Sequence, residues 1–364
     1  MNLKKYLAYL YQKLFYVKNV HHPLSVFKNR KKRVITLPKF DSFQRDQDVQ
    51  WWYWTGHLKG VNRKSKEERE FGFEIVFFAF NSFIFFKNEL AQAAITDIKD
   101  KNFSYYEDVK FLSLPKKLKN GYKFDFKNKK NWSKCSGGNG EDKLNFKIDN
   151  YLVKLKLKLK EKPVIRYNGK AYEYTFGGYT YYYSREKMET SGIMEIDNEI
   201  YDIYGITWFD RQLGELYQAI FKGWQWFALS LKNGNTIMLF DFFKENKNNY
   251  GSITKNNKTI ELFKEDFNVK VINEWISKKT KIKYPSGWHI KLKNMDYYVY
   301  PKIKNQELAC KHKFWIGPEY WEGDCIIKNI KDEFIGEAYV ELNGFGHKLI
   351  TIDIDNDGKR SFGF

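Results

Sequence analysis

The sequence predicts an all-β chain of two barrels or sandwiches in tandem, on three observations. Aromatic residues make up 19% of the chain, and flat rings pack well on the pleated surface of a strand. Short apolar runs recur at spacings of about 8–12 residues, with polar or glycine-rich turns between them. Helical periodicity is weak after Val20, and no fixed repeat suggests a propeller or solenoid. A length of 364 residues leaves room for two domains, at about 150 residues each.

In chain order, Met1 to Val20 places Leu3, Leu7, Leu10, Leu14 and Val17 on one helical stripe with lysines among them. It reads either as a short helix covering the body of the protein or as a basic membrane-surface anchor. Gln12 and Lys13 interrupt the apolar region, so it makes a poor signal peptide. No apolar run approaches the roughly 20 residues needed to cross a bilayer. The expected location is therefore cytoplasmic or membrane-peripheral. His21 to Val34, with the basic run Lys28 to Arg33, reads as an exposed linker.

Trp51–Leu58 and Phe71–Phe80 read as a long hairpin that is apolar on both faces, so protein or ligand lies on each side of it. Pro115 to Asp149 is rich in Lys, Asn and Gly and reads as loops joining strands at an open end. From Val153 to Lys160 lysines alternate strictly with apolar residues, the mark of a half-buried strand with a solvated face. Strand pairs follow around Tyr172–Tyr183 and Ile193–Trp208. Gly214 to Gly223 is the expected boundary, dividing the chain into 1–37, 38–215 and 216–364. Beyond it, Trp224–Leu231 and Asn235–Phe243 flank a tight Asn233-Gly234 turn. Further strands are expected at Gly251–Ile253, Trp288–Leu292, Tyr297–Pro301, Tyr320–Ile327 and Ile335–Leu342.

The formal charge of +19 favours anionic partners. Strand alternation assigns the lysines to solvated faces rather than to a nucleic-acid groove. Nucleic acid is not expected, and peripheral contact with an anionic membrane surface stays open. Cys135, Cys310 and Cys325 are odd in number and widely spaced. Free thiols are expected, with a Cys310–Cys325 bridge as the alternative. The histidines form no HxH or HExxH, and the calcium-loop-like start at Asp353 would have Phe364 at its twelfth position instead of Glu. Phosphate-loop, dinucleotide and GxSxG fingerprints are missing too. No metal or cofactor is expected.

Period 2 puts Trp208, Asp210 and Gln212 on one strand face, and Thr207, Phe209 and Arg211 on the other. An aspartate among aromatic rings must either pair with a base or rise in pKa. A protonated carboxyl in an apolar pocket can deliver a proton to a carbon–carbon double bond. The alternative is a structural aspartate bonded to backbone, Arg211 or another base. Trp224 and Trp226 share a face, as do Tyr179, Tyr181 and Tyr183, and either wall a pocket or fill a core. Glu74 is a second candidate buried acid, and His57 lies on the Trp51–Tyr53–Thr55 face.

Nine blocks in order resemble the carotenoid hydratase (hydroxyneurosporene synthase) and AttH-like family. They are Trp51–Leu58, Phe71–Phe78, Leu90–Asp97, Gly205–Gln212, Gly223–Phe227, Tyr284–Trp288, Gln306–Leu308, Tyr320–Gly323 and Gly336–Leu342. The resemblance implies two lipocalin-like β domains packed together, with a β-barrel pocket for an apolar, isoprenoid or lipid-like molecule. It implies a cofactor-free lyase or isomerase with Asp210 as general acid. The ligand-binding residues would be Trp51, Tyr53, His57, Glu74, Tyr181, Tyr183, Trp208, Gln212, Trp224 and Trp226. The alternative is a non-catalytic carrier or scaffold for a lipid. Gln50 and Gln212 depart from the pattern, standing where the family often has Glu. Fold does not settle reaction in so varied a family.

Overall fold

Trp51-Trp52-Tyr53-Trp54 opens the first long strand, and all four side chains are buried. Because successive side chains leave a strand on opposite faces, this run needs an apolar environment on both sides. The computed structural model, which describes residues 30–81, 87–309, 320–346, 352–354 and 360–362, shows where the two environments come from.

The first sheet begins with a meander of β1 (Val49–Asn62), β2 (Glu68–Asn81), β3 (Lys87–Asp97) and β4 (Asn102–Phe111). A second meander comprises β5 (Tyr122–Lys127), β6 (Trp132–Gly138), β7 (Glu141–Ile148) and β8 (Tyr151–Leu159). After the two-residue strands β9 (Val164–Ile165) and β10 (Tyr172–Glu173), the hairpin of β11 (Tyr179–Ile196) and β12 (Glu199–Glu215) joins the meanders. The strand order is β4-β3-β2-β1-β12-β11-β8-β7-β6-β5, so the last long strand pairs with the first. Phe77 of β2 stacks on Phe124 of β5 with centroids 4.5 Å apart, which curls the sheet round its own core.

One helix, α1 (Tyr217–Lys222), separates this sheet from a second built on the same scheme. That sheet has the meander β13 (Trp224–Leu231), β14 (Thr236–Asp241), β15 (Tyr250–Lys255) and β16 (Lys258–Phe263). Next come β17 (Phe267–Ile276), β18 (Lys283–Leu292), β19 (Met295–Pro301) and β20 (Glu307–Leu308). The hairpin β21 (Tyr320–Lys328) and β22 (Phe334–Asn343) then brings β22 back against β13. This sheet also curls: the Trp288 indole on β18 donates to Gln225 Oε1 on β13 at 2.8 Å. A small hairpin of Ile352–Ile354 and Arg360–Phe362 follows.

Each curled sheet encloses an apolar core, one around Trp52, Trp54, Phe77 and Phe209, the other around Phe227, Trp288, Trp321 and Val340. A third core lies between the outer faces of the two sheets and holds Trp51, Tyr53, Trp208, Trp224 and Trp226. The sheets therefore pack back to back. On β8, Val153, Leu155 and Leu157 point inward while Lys154, Lys156 and Lys158 are exposed, as their alternation predicts.

Two expectations need correction. Pro115 to Asp149 is not loop: it holds β5, β6 and β7. Tyr122, Phe124, Phe126, Asp142, Leu144, Phe146 and Ile148 are the inward residues, and the abundant Lys belong to the outer face of half-buried strands. Asn139 and Gly140, both at positive φ, make the β6–β7 turn. The basic run before Val34 is not wholly exposed either. Arg30 is buried and pairs with Asp48, and its carbonyl accepts from the Tyr181 hydroxyl at 2.9 Å. The Ile35 amide donates to the Gly169 carbonyl at 2.8 Å. Segment 30–35 is thus fixed against the first sheet by bonds that its composition does not reveal. Cys135 and Cys325 are buried free thiols. Cys310, and with it the alternative bridge, lies outside the described residues, as does the expected helix of residues 1–20.

Removing Arg30 breaks a buried ion pair. Arg30→Ala is expected to cost about 2 kcal/mol in a denaturant titration. Lys32→Ala, on an exposed side chain, should change stability by less than about 0.5 kcal/mol.

Candidate functional site

Between the outer faces of the two sheets is a cleft with an empty volume of about 910 Å³, its open mouth included. Strand register builds both of its walls. On the first sheet Glu107, Gln92, Val76, Tyr53, Asp210 and Ser184 form one continuous cross-strand row through β4, β3, β2, β1, β12 and β11. On the second sheet Phe240, Trp226, Glu341 and Glu322 form the facing row through β14, β13, β22 and β21. Aromatic rings bridge the gap. Trp51 stacks on Trp224 at 6.4 Å, and Trp226 meets Tyr53 edge-on at 5.5 Å and Trp208 at 6.0 Å. Such offset and edge-to-face pairs are the favoured ring geometries.

Four carboxyls with raised pKa lie in or beside this aromatic cleft. Asp210 accepts hydrogen bonds from Tyr182 Oη at 2.5 Å, Ser184 Oγ at 2.5 Å and Trp208 Nε1 at 2.7 Å. Burial pushes it up to about 6, and the charge of Arg166 and these three donors hold it back from rising further. Arg166 itself pairs with Glu186 at 2.8 Å. Glu341 is half-buried and lines the cleft. Burial raises it to about 8, against the nearby Trp224 indole and with a small push from Asp210. Glu322 lies opposite Glu341 on β21 and accepts from the Tyr53 hydroxyl at 3.0 Å. Burial, then the charges of Glu341 and Glu74, drive it well above the usual range.

Glu74 is fully buried, and neither of its oxygens has a hydrogen bond of normal geometry. Burial, then Glu341, raise it well above the usual carboxylate range, against the neighbouring Tyr320 hydroxyl. Two carboxyls in one site with different environments are the usual arrangement for acid and base work.

Of the residues singled out from the sequence, Trp51, Tyr53, Asp210, Gln212, Trp224 and Trp226 line the cleft. Trp208 and His57 line a smaller neighbouring cavity of about 240 Å³. There His57 Nδ1 lies 2.9 Å from Asp324 Oδ1. Glu74 shares a face of β2 with Val76 and Phe78 but does not itself line the cleft. Tyr181 and Tyr183 do not face the cleft: they point into the first barrel, where Tyr183 bonds to Asp41 and Tyr181 to Arg30. The odd–even alternation of β11 gives the cleft side to Tyr182 and Ser184 instead. The cleft also lies between the barrels rather than inside one, because both interiors are occupied by aromatic side chains. Arg211 is not the partner of Asp210. It lies on the opposite face, its guanidinium 3.7 Å from the centroid of the Trp52 ring, donating to Gln50 Oε1 at 2.8 Å.

Sequence reasoning missed Glu322 and Glu341 as site residues. Each is an acid between apolar neighbours on a strand, the same signal that singled out Asp210.

Two curled antiparallel barrels packed back to back over an acidic aromatic cleft define a paired lipocalin-like protein. The family model described as AttH-like matches residues 28–345, and the chain belongs to that family. Among solved structures, a putative AttH from Nitrosomonas europaea is 20% identical, with a TM-score of 0.72 over 86% of this chain and 98% of that one. Kievitone hydratase from Nectria haematococca is 15% identical, with a TM-score of 0.65 over 87% of this chain and 94% of that one. No curated protein matches the sequence. At these identities the likeness is one of fold, and it meets the fold expected from the nine blocks.

The raised carboxyls make stability depend on pH. Glu341 keeps a proton in the folded chain up to about 8 that the unfolded chain, at 4.5, has already released. Its contribution is fully present below about 4.5 and is lost as pH rises through about 8. The melting temperature is therefore expected to fall between pH 5 and pH 8.5, and Glu341→Gln should flatten that fall.

Proposed function

We propose that the cleft binds an apolar unsaturated molecule and adds water across one of its double bonds, without a cofactor. The observation that carries this reading is the pair of cleft carboxyls held apart in acidity, Asp210 at about 6 and Glu341 at about 8. At neutral pH Glu341 is then largely protonated and Asp210 largely ionised. Glu341 donates its proton to one alkene carbon, and the adjacent carbon becomes cationic. The faces of Trp51, Trp224 and Trp226 stabilise that cation. Water attacks it while Asp210 takes the proton that the water releases, and passing that proton to Glu341 resets the site. The sequence alone suggested Asp210 as the acid; its three donated hydrogen bonds suit the carboxylate form better. The shared fold with a hydratase supports the reaction class, and an isoprenoid or related polyene suits the aromatic lining of the cleft.

The test is incubation with apolar alkenes and detection of products heavier by one water. Glu341→Gln and Asp210→Asn should each lower turnover by about 10²–10⁴ while ligand binding survives. The rate should be bell-shaped in pH, falling below about 6 as Asp210 protonates and above about 8 as Glu341 ionises.

A second reading, a non-catalytic carrier, draws on one observation: the donors around Asp210 also suit a purely structural role. A carrier would return every bound alkene unchanged.

A further inference from the structure

The charge of the cleft is opposite to that of the chain. The protein carries a formal +19, yet among the described residues lining the cleft none is Lys, Arg or His, and four are Glu107, Asp210, Glu322 and Glu341. Its hydrogen-bonding groups are unbalanced in the same sense. The Tyr53 hydroxyl is engaged by Glu322, and the Tyr320 hydroxyl by Gln92. The Gln92 amide donates to Glu107 at 2.9 Å, and the Gln212 amide to Tyr174 at 3.3 Å. These four donors are thus turned onto acceptors of the protein, and the Trp224 indole in the same wall lies near Glu341; no lining side chain among the described residues carries a positive charge.

A ligand entering this cleft meets four acidic side chains and no basic one. A carboxylate, sulfate or phosphate would lose its hydration there beside Asp210 and, above about pH 8, Glu341, with no cation to replace it. We propose that the cleft selects an apolar ligand whose polar end is a hydrogen-bond donor, a hydroxyl or an ammonium, and rejects the same body carrying an anion. Donor hydrogens would face the Glu322–Glu341 edge while the apolar body lies between Trp51 and Trp224. An ammonium would gain further from the ring faces. The inference rests on the reading of the cleft as a ligand site and deepens it, but it does not require turnover.

Three ligands with one C15 body test it: farnesol, farnesylamine and farnesoate. Each is titrated into the full-length protein at pH 8.5 in 0.15 M salt, which weakens attraction by the exposed lysines. Binding is read from the fluorescence of the cleft tryptophans. The alcohol and the amine are expected to bind at least tenfold more tightly than the acid. In Glu341→Gln the gap between amine and acid should shrink several-fold. Farnesoate binding as well as farnesol, no binding by any of the three, or an unchanged gap in both Glu341→Gln and Glu322→Gln would overturn the proposal. Selective binding with no hydration would keep this inference and remove the catalytic reading. Hydration of a carboxylate-bearing alkene as fast as its alcohol would do the reverse.

Discussion

A strand that is aromatic on both faces cannot be satisfied by one core. Trp52 and Trp54 fill the first barrel, while Trp51 and Tyr53 stand on the same strand with nothing of that barrel to cover them. The second sheet supplies the cover, with Trp224 and Trp226 on its own first strand. The pairing of β1 with β12 and of β13 with β22 places these strands centrally in their sheets. The joint between the sheets therefore forms over their middles, not at their edges.

That joint is tied by polar bonds on either side of the aromatic centre. Thr96 donates to Gln306 at 2.8 Å and Tyr105 to the Ala309 carbonyl at 2.8 Å on one side. On the other, Arg166 reaches Ser252, and the Tyr167 amide donates to Glu261 at 2.8 Å. Close packing of the two faces also needs a residue without a side chain. A Cβ on Gly72 would lie 2.6 Å from the Cβ of Asp324 across the joint. Between these ties the carboxyls are largely withdrawn from water, so their acidity is set by burial and by one another. A low local dielectric makes each proton matter more there than it would at the surface.

Much of this was legible in the sequence. Alternation marked the long strands, and the doubly apolar hairpin of β1 and β2 announced that both its faces would be covered. The parity of Trp208, Asp210 and Gln212 correctly separated them from Arg211. The gaps have physical causes. Tyr122 to Ile148 looked like loop because its outward residues are charged and its inward ones sparse in a short strand. Arg30 looked like linker because its partner, Asp48, is settled by the tertiary fold. Glu322 and Glu341 were invisible as a pair because only the register of β21 against β22 makes them neighbours. The place of the cleft depended on which face of each sheet was inside, and alternation alone does not assign that.

The alternation that divides inside from outside along β1 also divides the labour of its residues under selection. Gln50, Trp52 and Trp54 hold a barrel together, while Trp51 and Tyr53 meet whatever enters the cleft. Exchanges at Trp52 and Trp54 would act on the barrel interior, and exchanges at Trp51 and Tyr53 on the cleft and on the joint between the sheets. Structures only 15–20% identical to this chain share its shape.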